Sequence, residues 1–388
     1  MNLDIFLKRS GLLILIVTLI GSILPAIFVA YSANAQRPGA TASSTIRGTS
    51  PRLDLRSVLG VDGNLQNAVV GIPWIRLSYP TCGKSGLTSQ VLKKTIQRYH
   101  HLGMRVMLSY CQRSIHQAFF DPKALNDIAQ SRPDAVQCGN EQMKSAAATI
   151  YITPLFFARF FDLCQRTIHP LLPDIPILLG SLDPHVGGID YQPLYDQVYY
   201  LDAIQNAMNT QVHPGGHWTW RSQIVGLIDS WHNGYPDQSV NSLYQLFLFW
   251  AQQFHVDLRK GELGKHLWVI EGTGCFRGCG INASSSYAVA VSHILTLITD
   301  VQTTMRYGVP FFYFSGKDFV LNGVLWPMGV LDLQGHAKPL RQDLRMGART
   351  LTMSCPTGKT LVRTQVQLLS MLYHGCTLPG NYVAILES

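Results

Sequence analysis

Short apolar runs alternate along the chain with longer stretches whose apolar residues recur at helical spacing. This alternation begins at Arg52 and is typical of repeated βα units. Strands covered on both faces read as continuous apolar runs, and parallel strands are covered in this way. The predicted strands occupy residues 53–59, 69–77, 105–110, a run that begins at 135, then 176–180, 224–228, 267–270 and 310–314.

The stretches between these runs have the spacing of amphipathic helices. The first of them has Thr88 as a candidate N-cap and ends at Gly103. The predicted helices occupy residues 91–102, 122–131, 145–168, 191–208, 242–254, 286–305 and 340–353. Strands and helices in this order predict an α/β fold, a (β/α)8 or TIM barrel, over residues 51–353. Residues 354–388 are predicted to form a C-terminal extension with β-like runs at 362–366 and 382–386.

The N-terminus has the features of an export signal. Lys8 and Arg9 precede an apolar run over residues 11–30, and Ala33-Asn34-Ala35 fits the small-x-small cleavage rule. We therefore predict a signal peptide over residues 1–35 and an Ala-, Ser- and Thr-rich linker over 36–50. The alternative is an uncleaved anchor, since the run is long enough to span a bilayer. Both a cleaved signal peptide and an uncleaved anchor place the rest of the protein outside the cytoplasm. Contact with a membrane is expected only for the uncleaved anchor.

The cysteine content fits an exported protein. There are 8 cysteines, and an even number in an exported chain suggests disulfides. The pairs that close the shortest loops are Cys275 with Cys279 and Cys355 with Cys376, and Cys82 with Cys111 is a third candidate. Zinc is a weak alternative for the Cys275 and Cys279 loop, because no second matched pair accompanies it. The remaining two, Cys138 and Cys164, are interpreted as buried thiols.

Composition narrows the classes of function. The formal net charge is +8, but charged residues make up only 14% of the chain and the positive ones are scattered. Nucleic-acid-binding proteins carry a clustered basic stripe, so nucleic acid is not expected as a partner. No feature of the sequence indicates a partner protein.

Two carboxylates follow predicted strands at distant points of the chain. Glu141 ends the segment Gly139-Asn140-Glu141, and Glu271 follows the apolar run 267–270. Carboxyl ends of barrel strands meet at one face, which is where such folds carry their functional groups. Several other polar residues fall near predicted strand ends: Arg76, Ser109, Asp183, His232 and Tyr313. Two facing carboxyl groups are what the cleavage of a glycosidic bond requires.

These segments resemble the clan A glycoside hydrolases, which are retaining enzymes built on a (β/α)8 barrel. The resemblance lies in Gly139-Asn140-Glu141 on the fourth strand, Trp268-Val-Ile-Glu271-Gly on the seventh, and the closing segment 329–339. It implies that Glu141 is the acid/base and Glu271 the nucleophile. It also implies that Asn140 binds the sugar 2-hydroxyl, that Arg76 lies near the nucleophile, and that His232 or Tyr235 touches the nucleophile from the sixth strand.

The platform for the sugar departs from that family. The end of the eighth strand reads Phe312-Tyr313-Phe314-Ser315 where the family places a tryptophan, and Trp326 is a candidate substitute from the next loop. Trp231 is a further candidate for stacking on a sugar ring, with core packing as its alternative. Tyr313 completes the predicted substrate-binding set.

Other interpretations stay open at this point. Glu141 could be a helix N-terminal glutamate, and Glu271 could form a structural ion pair with Arg76. For the whole protein, the main prediction is an exported glycoside hydrolase with a carbohydrate substrate and neither metal nor cofactor. The alternative is a non-catalytic carbohydrate-binding barrel. A metal-dependent deacetylase would need two histidines and an aspartate that converge, and the sequence shows no such spacing.

Overall fold

The fold is described here from a computed structural model. All described residues belong to the unit Arg52–Ser388. They are residues 59–65, 71–82, 87–112, 121–143, 151–183, 191–229, 242–272, 300–301, 303–321, 323–326, 329–338, 351–362 and 365–377. The predicted signal peptide and linker lie outside them. Among the described residues, no helix is long and apolar enough to cross a membrane.

Eight parallel strands close into a barrel in which each strand pairs with its neighbours in chain order. The register joins β1 to both β2 and β8, which closes the ring. The strands are β1 Leu59–Asp62, β2 Trp74–Ser78, β3 Arg105–Tyr110, β4 Ala135–Cys138, β5 Ile177–Leu182, β6 Ile224–Asp229, β7 Leu267–Gly272 and β8 Phe311–Tyr313. The predicted fold class is therefore confirmed.

Helices follow the strands as predicted, but the helix predicted over 145–168 begins only at Pro154, so residues 151–153 correct its start. Asp121 caps the second helix, because its side chain accepts a hydrogen bond from the Ala124 N–H, and Arg132 ends it in a left-handed conformation. The helices are α1 Ser89–His101, α2 Pro122–Ser131, α3 Pro154–Ile168, α4 Tyr191–Ala207 and α5 Ser242–Phe254. Residues 300–301 and 303–307 are also helical. Most of the helix predicted over 286–305 lies outside the described residues.

The first strand and the chain after the barrel correct the prediction. The strand expected at 53–59 is instead Leu59–Asp62, and residues 53–58 lie outside the described part. Residues 351–353, expected to end a helix, belong to the hairpin formed by β11 Leu351–Cys355 and β12 Gly358–Val362. The strand predicted at 362–366 is wrong, because that hairpin ends at Val362 and α6 Gln365–Tyr373 begins. Met371 and Leu372 of α6 pack against the main core.

Apolar side chains fill much of the barrel interior. They form a cluster of their own: Trp74, Met107, Ala135, Leu178, Ile228, Trp268, Ile270 and Phe312. Gly60 makes room for them, since a Cβ on Gly60 would lie 2.5 Å from the Phe312 ring and 2.9 Å from Cβ of Trp74. A second, larger cluster fills the layer that includes the helices.

The interior changes from apolar to polar along the strands. Inward positions recur every second residue. Thus Trp74 is followed by Arg76 on β2, Met107 by Ser109 on β3, and Ala135 by Gln137 on β4. Each later residue lies one step closer to the C-terminal end of the barrel. On these three strands the apolar residues therefore lie beneath a polar layer.

A hairpin and a buried ion pair follow β8. The hairpin pairs β9 Phe319–Leu321 with β10 Val324–Trp326. Lys338 Nζ lies 2.7 Å from Oδ1 of Asp318, and both side chains are 2% exposed. The Gly329 N–H donates to the same oxygen. This pair fixes the segment predicted to close the barrel.

Three disulfides are formed within the described residues. Cys82 pairs with Cys111 and Cys355 with Cys376, as predicted. The prediction of thiols at Cys138 and Cys164 is wrong, because these residues pair with each other. The first lies on β4 and the second on α3, so the bond ties the barrel wall to a covering helix. Cys275 and Cys279 lie outside the described residues.

Candidate active site

Arg76 is the centre of a polar network in the upper layer of the barrel. Its side chain is 3% exposed, and Nη1 lies 2.6 Å from Oε1 of Glu271 and 3.0 Å from Oδ2 of Asp62. Nη2 donates to Oδ1 of Asn140 at 3.1 Å. Nε donates to the Ser109 hydroxyl and to the Gln137 carbonyl. One guanidinium from β2 therefore connects side chains of β1, β3, β4 and β7.

An irregularity in β7 aims Glu271 at this network. Val269 faces the outer cluster and Ile270 the interior, so regular alternation would turn Glu271 outward. The register of β7 with β6 and β8 shifts at this point. A bulge re-aims a side chain, and such irregularities are frequent beside active sites. Here the shift brings the Glu271 carboxylate to Arg76.

The turn after β4 is held by a paired amide. Gln112 accepts from the Asn140 N–H at 2.9 Å and donates to the Asn140 carbonyl at 2.8 Å. Gly139 precedes it with φ of 98°, a conformation that glycine adopts without cost. A Cβ there would also meet the Phe157 ring at 2.5 Å. The segment Gly139-Asn140-Glu141 therefore has one well-determined path.

The hydrogen bonds also fix which way the Asn140 amide points. Oδ1 of Asn140 accepts from Arg76, from Gln137 Nε2 at 3.0 Å and from the Ser181 hydroxyl at 3.0 Å. A guanidinium can only donate, so the atom facing it must be the oxygen. Nδ2 is therefore turned away from Arg76, and Asn140 is partly exposed.

Glu141 occupies an uncommon backbone conformation for a residue with a side chain. Its φ is 44°, in the left-handed region that few non-glycine residues adopt. The Glu141 N–H donates to the Ser181 hydroxyl at 2.9 Å. Strained backbone of this kind persists where the surroundings determine it, and it is concentrated at functional sites. Glu141 is partly exposed and follows Asn140 directly.

The charges in the network do not balance. Two carboxylates share one guanidinium, and their side chains are 13% exposed at Asp62 and 15% at Glu271. Burial raises the pKa of Asp62 from 3.8 to about 6, against the lowering effect of Arg76, and the nearby Glu271 carboxylate raises it further. Burial lowers the pKa of Arg76, but the two carboxylates more than offset this, so its pKa is raised and it stays charged.

The other predicted site residues have different positions. Tyr313 on β8 is fully buried in the larger core cluster, which is the environment of a packing residue. It is not among the side chains that bond to Arg76. Trp326 ends β10, where its backbone is in register with that of Phe319. The Phe319 ring packs edge-on against Phe314 at 5.8 Å. Trp231, His232 and Tyr235 lie outside the described residues.

Sequence reasoning missed several members of the network. Asp62 was not predicted because the first strand was expected to end at residue 59, whereas it ends at Asp62. Gln137 was not predicted because an uncharged residue within a buried strand does not stand out as a functional group in the sequence. Gln112 follows β3, and Ser181 lies near the end of β5. The expectation that functional groups lie at the C-terminal ends of barrel strands, which identified Ser109, could have identified both.

Metal ligation is not indicated in the part of the chain that the structure describes, where no three His, Cys, Asp or Glu side chains converge on one point. The arrangement at Arg76 is instead a set of hydrogen-bonded charges. It holds the Glu271 carboxylate near the end of β7, and Glu141 follows β4 directly after Asn140, whose side chain belongs to the network.

Comparisons with known proteins agree with this architecture. No profile of a known protein family matches the sequence, and no curated protein does. Among solved structures, an endo-laminarinase from Formosa Hel1_33_131 has a TM-score of 0.50 at 13% identity, over 83% of this chain and 95% of that one. A glucosidase from Croceicoccus marinus also has a TM-score of 0.50, at 9% identity, over 80% of this chain and 70% of that one. At this level of identity the similarity concerns the fold.

Proposed function

We propose that the protein is an exported glycoside hydrolase that cleaves β-linked oligo- or polysaccharides with retention of configuration. The observation that carries this proposal is the position of Arg76, 2.6 Å from Glu271 and 3.1 Å from Asn140. This one side chain links the end of β7 to the turn that bears Glu141. This link supports a single site that contains both carboxylates of the predicted pair.

In the first step, the Glu271 carboxylate attacks the anomeric carbon and forms a glycosyl ester. Glu141 donates its proton to the glycosidic oxygen as the bond to the leaving sugar breaks. Arg76 orients the Glu271 carboxylate for this attack, because its Nη1 lies 2.6 Å from Oε1 of Glu271. The Glu141 carboxyl becomes a carboxylate, ready for the second step.

In the second step, Glu141 accepts a proton from water, whose oxygen attacks the anomeric carbon. The ester bond to Glu271 breaks, and the two inversions give net retention. The outward-turned Nδ2 of Asn140 can donate to a sugar hydroxyl, and bonds to the 2-hydroxyl strengthen as the transition state forms. This chemistry uses side chains alone.

Export is supported by two features of the chain. The N-terminal segment has the charge, apolar run and small residues of a signal peptide. The three disulfides belong to an oxidising compartment. The solved structures that share the fold include a glucosidase and an endo-laminarinase, so aryl β-glucosides and laminarin are the first substrates to test.

The test is hydrolysis by the wild-type protein and by Glu271→Gln. We expect the wild type to release sugar whose first-formed anomer, read by proton NMR, has the configuration of the substrate. Glu271→Gln should lose turnover by several orders of magnitude, because a neutral amide is a poor nucleophile, and should still bind the glycan in calorimetry.

Glu262→Gln is the matched control, since Glu262 lies in the connection before β7, at the opposite end of the same strand. It should leave turnover unchanged. Equal turnover by wild type and Glu271→Gln would refute the assigned nucleophile. Glycan binding without hydrolysis in the wild type would indicate the non-catalytic barrel.

A further inference from the structure

We propose that Asp62 is a positioning residue that acts through Arg76 and makes the site net negative, so that it stabilises the positive charge which develops on the sugar. This inference rests on the proposed function and concerns a residue outside the predicted site. Its starting point is a geometric fact: a single guanidinium nitrogen, Nη1 of Arg76, contacts Oδ2 of Asp62 at 3.0 Å and Oε1 of Glu271 at 2.6 Å.

The shared nitrogen means that Asp62 and Glu271 compete for the same cation. Arg76 is held on its other side by Ser109 and Gln137, so it cannot swing fully toward either carboxylate. With Asp62 present, Arg76 has a second fixed anchor on β1, opposite the hydrogen bonds from β3 and β4. Asp62 therefore orients the group that orients Glu271.

Asp62 has a second effect, which is on the net charge of the site. Arg76 with Glu271 alone would be a neutral pair. Asp62 makes the set one unit negative, in a place where all three side chains are at most 15% exposed. The transition state of glycoside cleavage resembles an oxocarbenium ion, and fixed charge opposite to the charge that develops is a large source of rate enhancement.

The same contacts predict how the charge of the site depends on pH. The charged groups that act on Asp62 are Arg76 on β2 and Glu271 on β7, and the Gly63 N–H also bonds it. Burial raises the pKa of Asp62 to about 6, so the extra negative charge is present at neutral pH and is lost below it.

The first arm of the test compares the pH dependence of kcat/KM for wild type and Asp62→Asn on an aryl glycoside. Asparagine keeps an acceptor for Arg76 and removes the charge. We expect kcat/KM to fall about tenfold at pH 7, as when an outer partner of a charged site is removed. The acid limb that protonation of Asp62 produces at about pH 6 in the wild type should be absent in Asp62→Asn, so its activity should persist to lower pH.

The second arm measures thermal stability against pH and needs no substrate. A carboxyl group whose folded pKa is raised binds its proton more tightly in the folded state, so its contribution to stability is lost as pH rises from about 4 to about 6. Asparagine binds no proton in this pH range, so Asp62→Asn does not lose stability in this way as pH rises. The Tm of Asp62→Asn minus that of wild type should therefore increase between pH 4 and pH 7.

Asp174→Asn is the matched control, because Asp174 is exposed and lies just before β5 at the other end of the barrel. Asp174→Asn should change neither the pH dependence of kcat/KM nor the pH dependence of Tm. A Tm difference that does not vary with pH overturns the assignment of Asp62 as a buried group that gains its negative charge between about pH 4 and about pH 6, whether or not the protein hydrolyses glycosides. An acid limb that stays in place in an active Asp62→Asn overturns the catalytic part. Absence of turnover in the wild type refutes the function proposed above and leaves the Tm arm decisive for the charge of Asp62.

Discussion

Two buried ion clusters among the described residues differ in their charge balance. After β8, Lys338 and Asp318 form a one-to-one pair at 2.7 Å, with both side chains 2% exposed. In the upper layer of the barrel, Arg76 is shared by Asp62 and Glu271, which are slightly more exposed. The first cluster is neutral, while the second carries one excess negative charge.

The difference separates a structural role from a functional one. A matched pair with a backbone donor, here the Gly329 N–H, satisfies its charges and fixes a loop. An unmatched buried carboxylate costs stability, and perturbed groups of this kind are concentrated at functional sites. Consistent with this, burial raises the pKa of Asp318 and lowers that of Lys338, but the partner opposes the shift in each case.

The largest effect on stability is expected for Lys338→Met. This change leaves Asp318 buried without its cation and should lower the free energy of unfolding by about 3–5 kcal/mol, measured by denaturant titration. The double variant with Asp318→Asn should recover much of the loss, because no charge then remains buried. Lys317→Met, at an exposed neighbour, is the control. A double variant as unstable as the single one would contradict the assignment.

Arg76→Met should have a smaller effect on stability that depends on pH. Without the guanidinium, the pKa of Asp62 loses its main lowering influence and rises further. The folded state then takes up protons more readily than the unfolded chain, so the variant should lose about 2–3 kcal/mol at pH 7 and less at pH 5. Unfolding titrations at both pH values measure this. A loss that is equal at pH 5 and pH 7 would show that the carboxylates do not depend on Arg76.

The barrel was predictable because its signal is repeated. Each strand is an apolar run covered on both faces, and the third strand was predicted with the bounds that the structure has, Arg105–Tyr110. The first strand is only Leu59–Asp62, too short to stand out from the apolar residues before it. The error of a few residues there concealed Asp62.

The network was only partly predictable, because side-chain hydrogen bonds leave little trace in sequence. Arg76, Asn140 and the two glutamates could be found from charge and strand ends. The pairing of Gln112 with the Asn140 backbone and the bulge that aims Glu271 depend on the register between strands. The Cys138–Cys164 bond joins a strand to a helix, which no count of loop lengths identifies.

A third cluster gives the smallest expected effect and tests whether exposure governs the comparison. Asp162 on α3 is 8% exposed and is contacted at 2.7 Å by both Arg166 and His213, which are 63% and 50% exposed. Arg166→Met should cost less than about 1 kcal/mol, because Arg166 is well solvated and His213 still contacts the carboxylate. Denaturant titration alongside Arg76→Met and Lys338→Met measures the ranking. If Arg166→Met costs as much as Lys338→Met, burial of the cation does not decide the strength of these clusters, and the contrast between the pair after β8 and the Arg76 network fails.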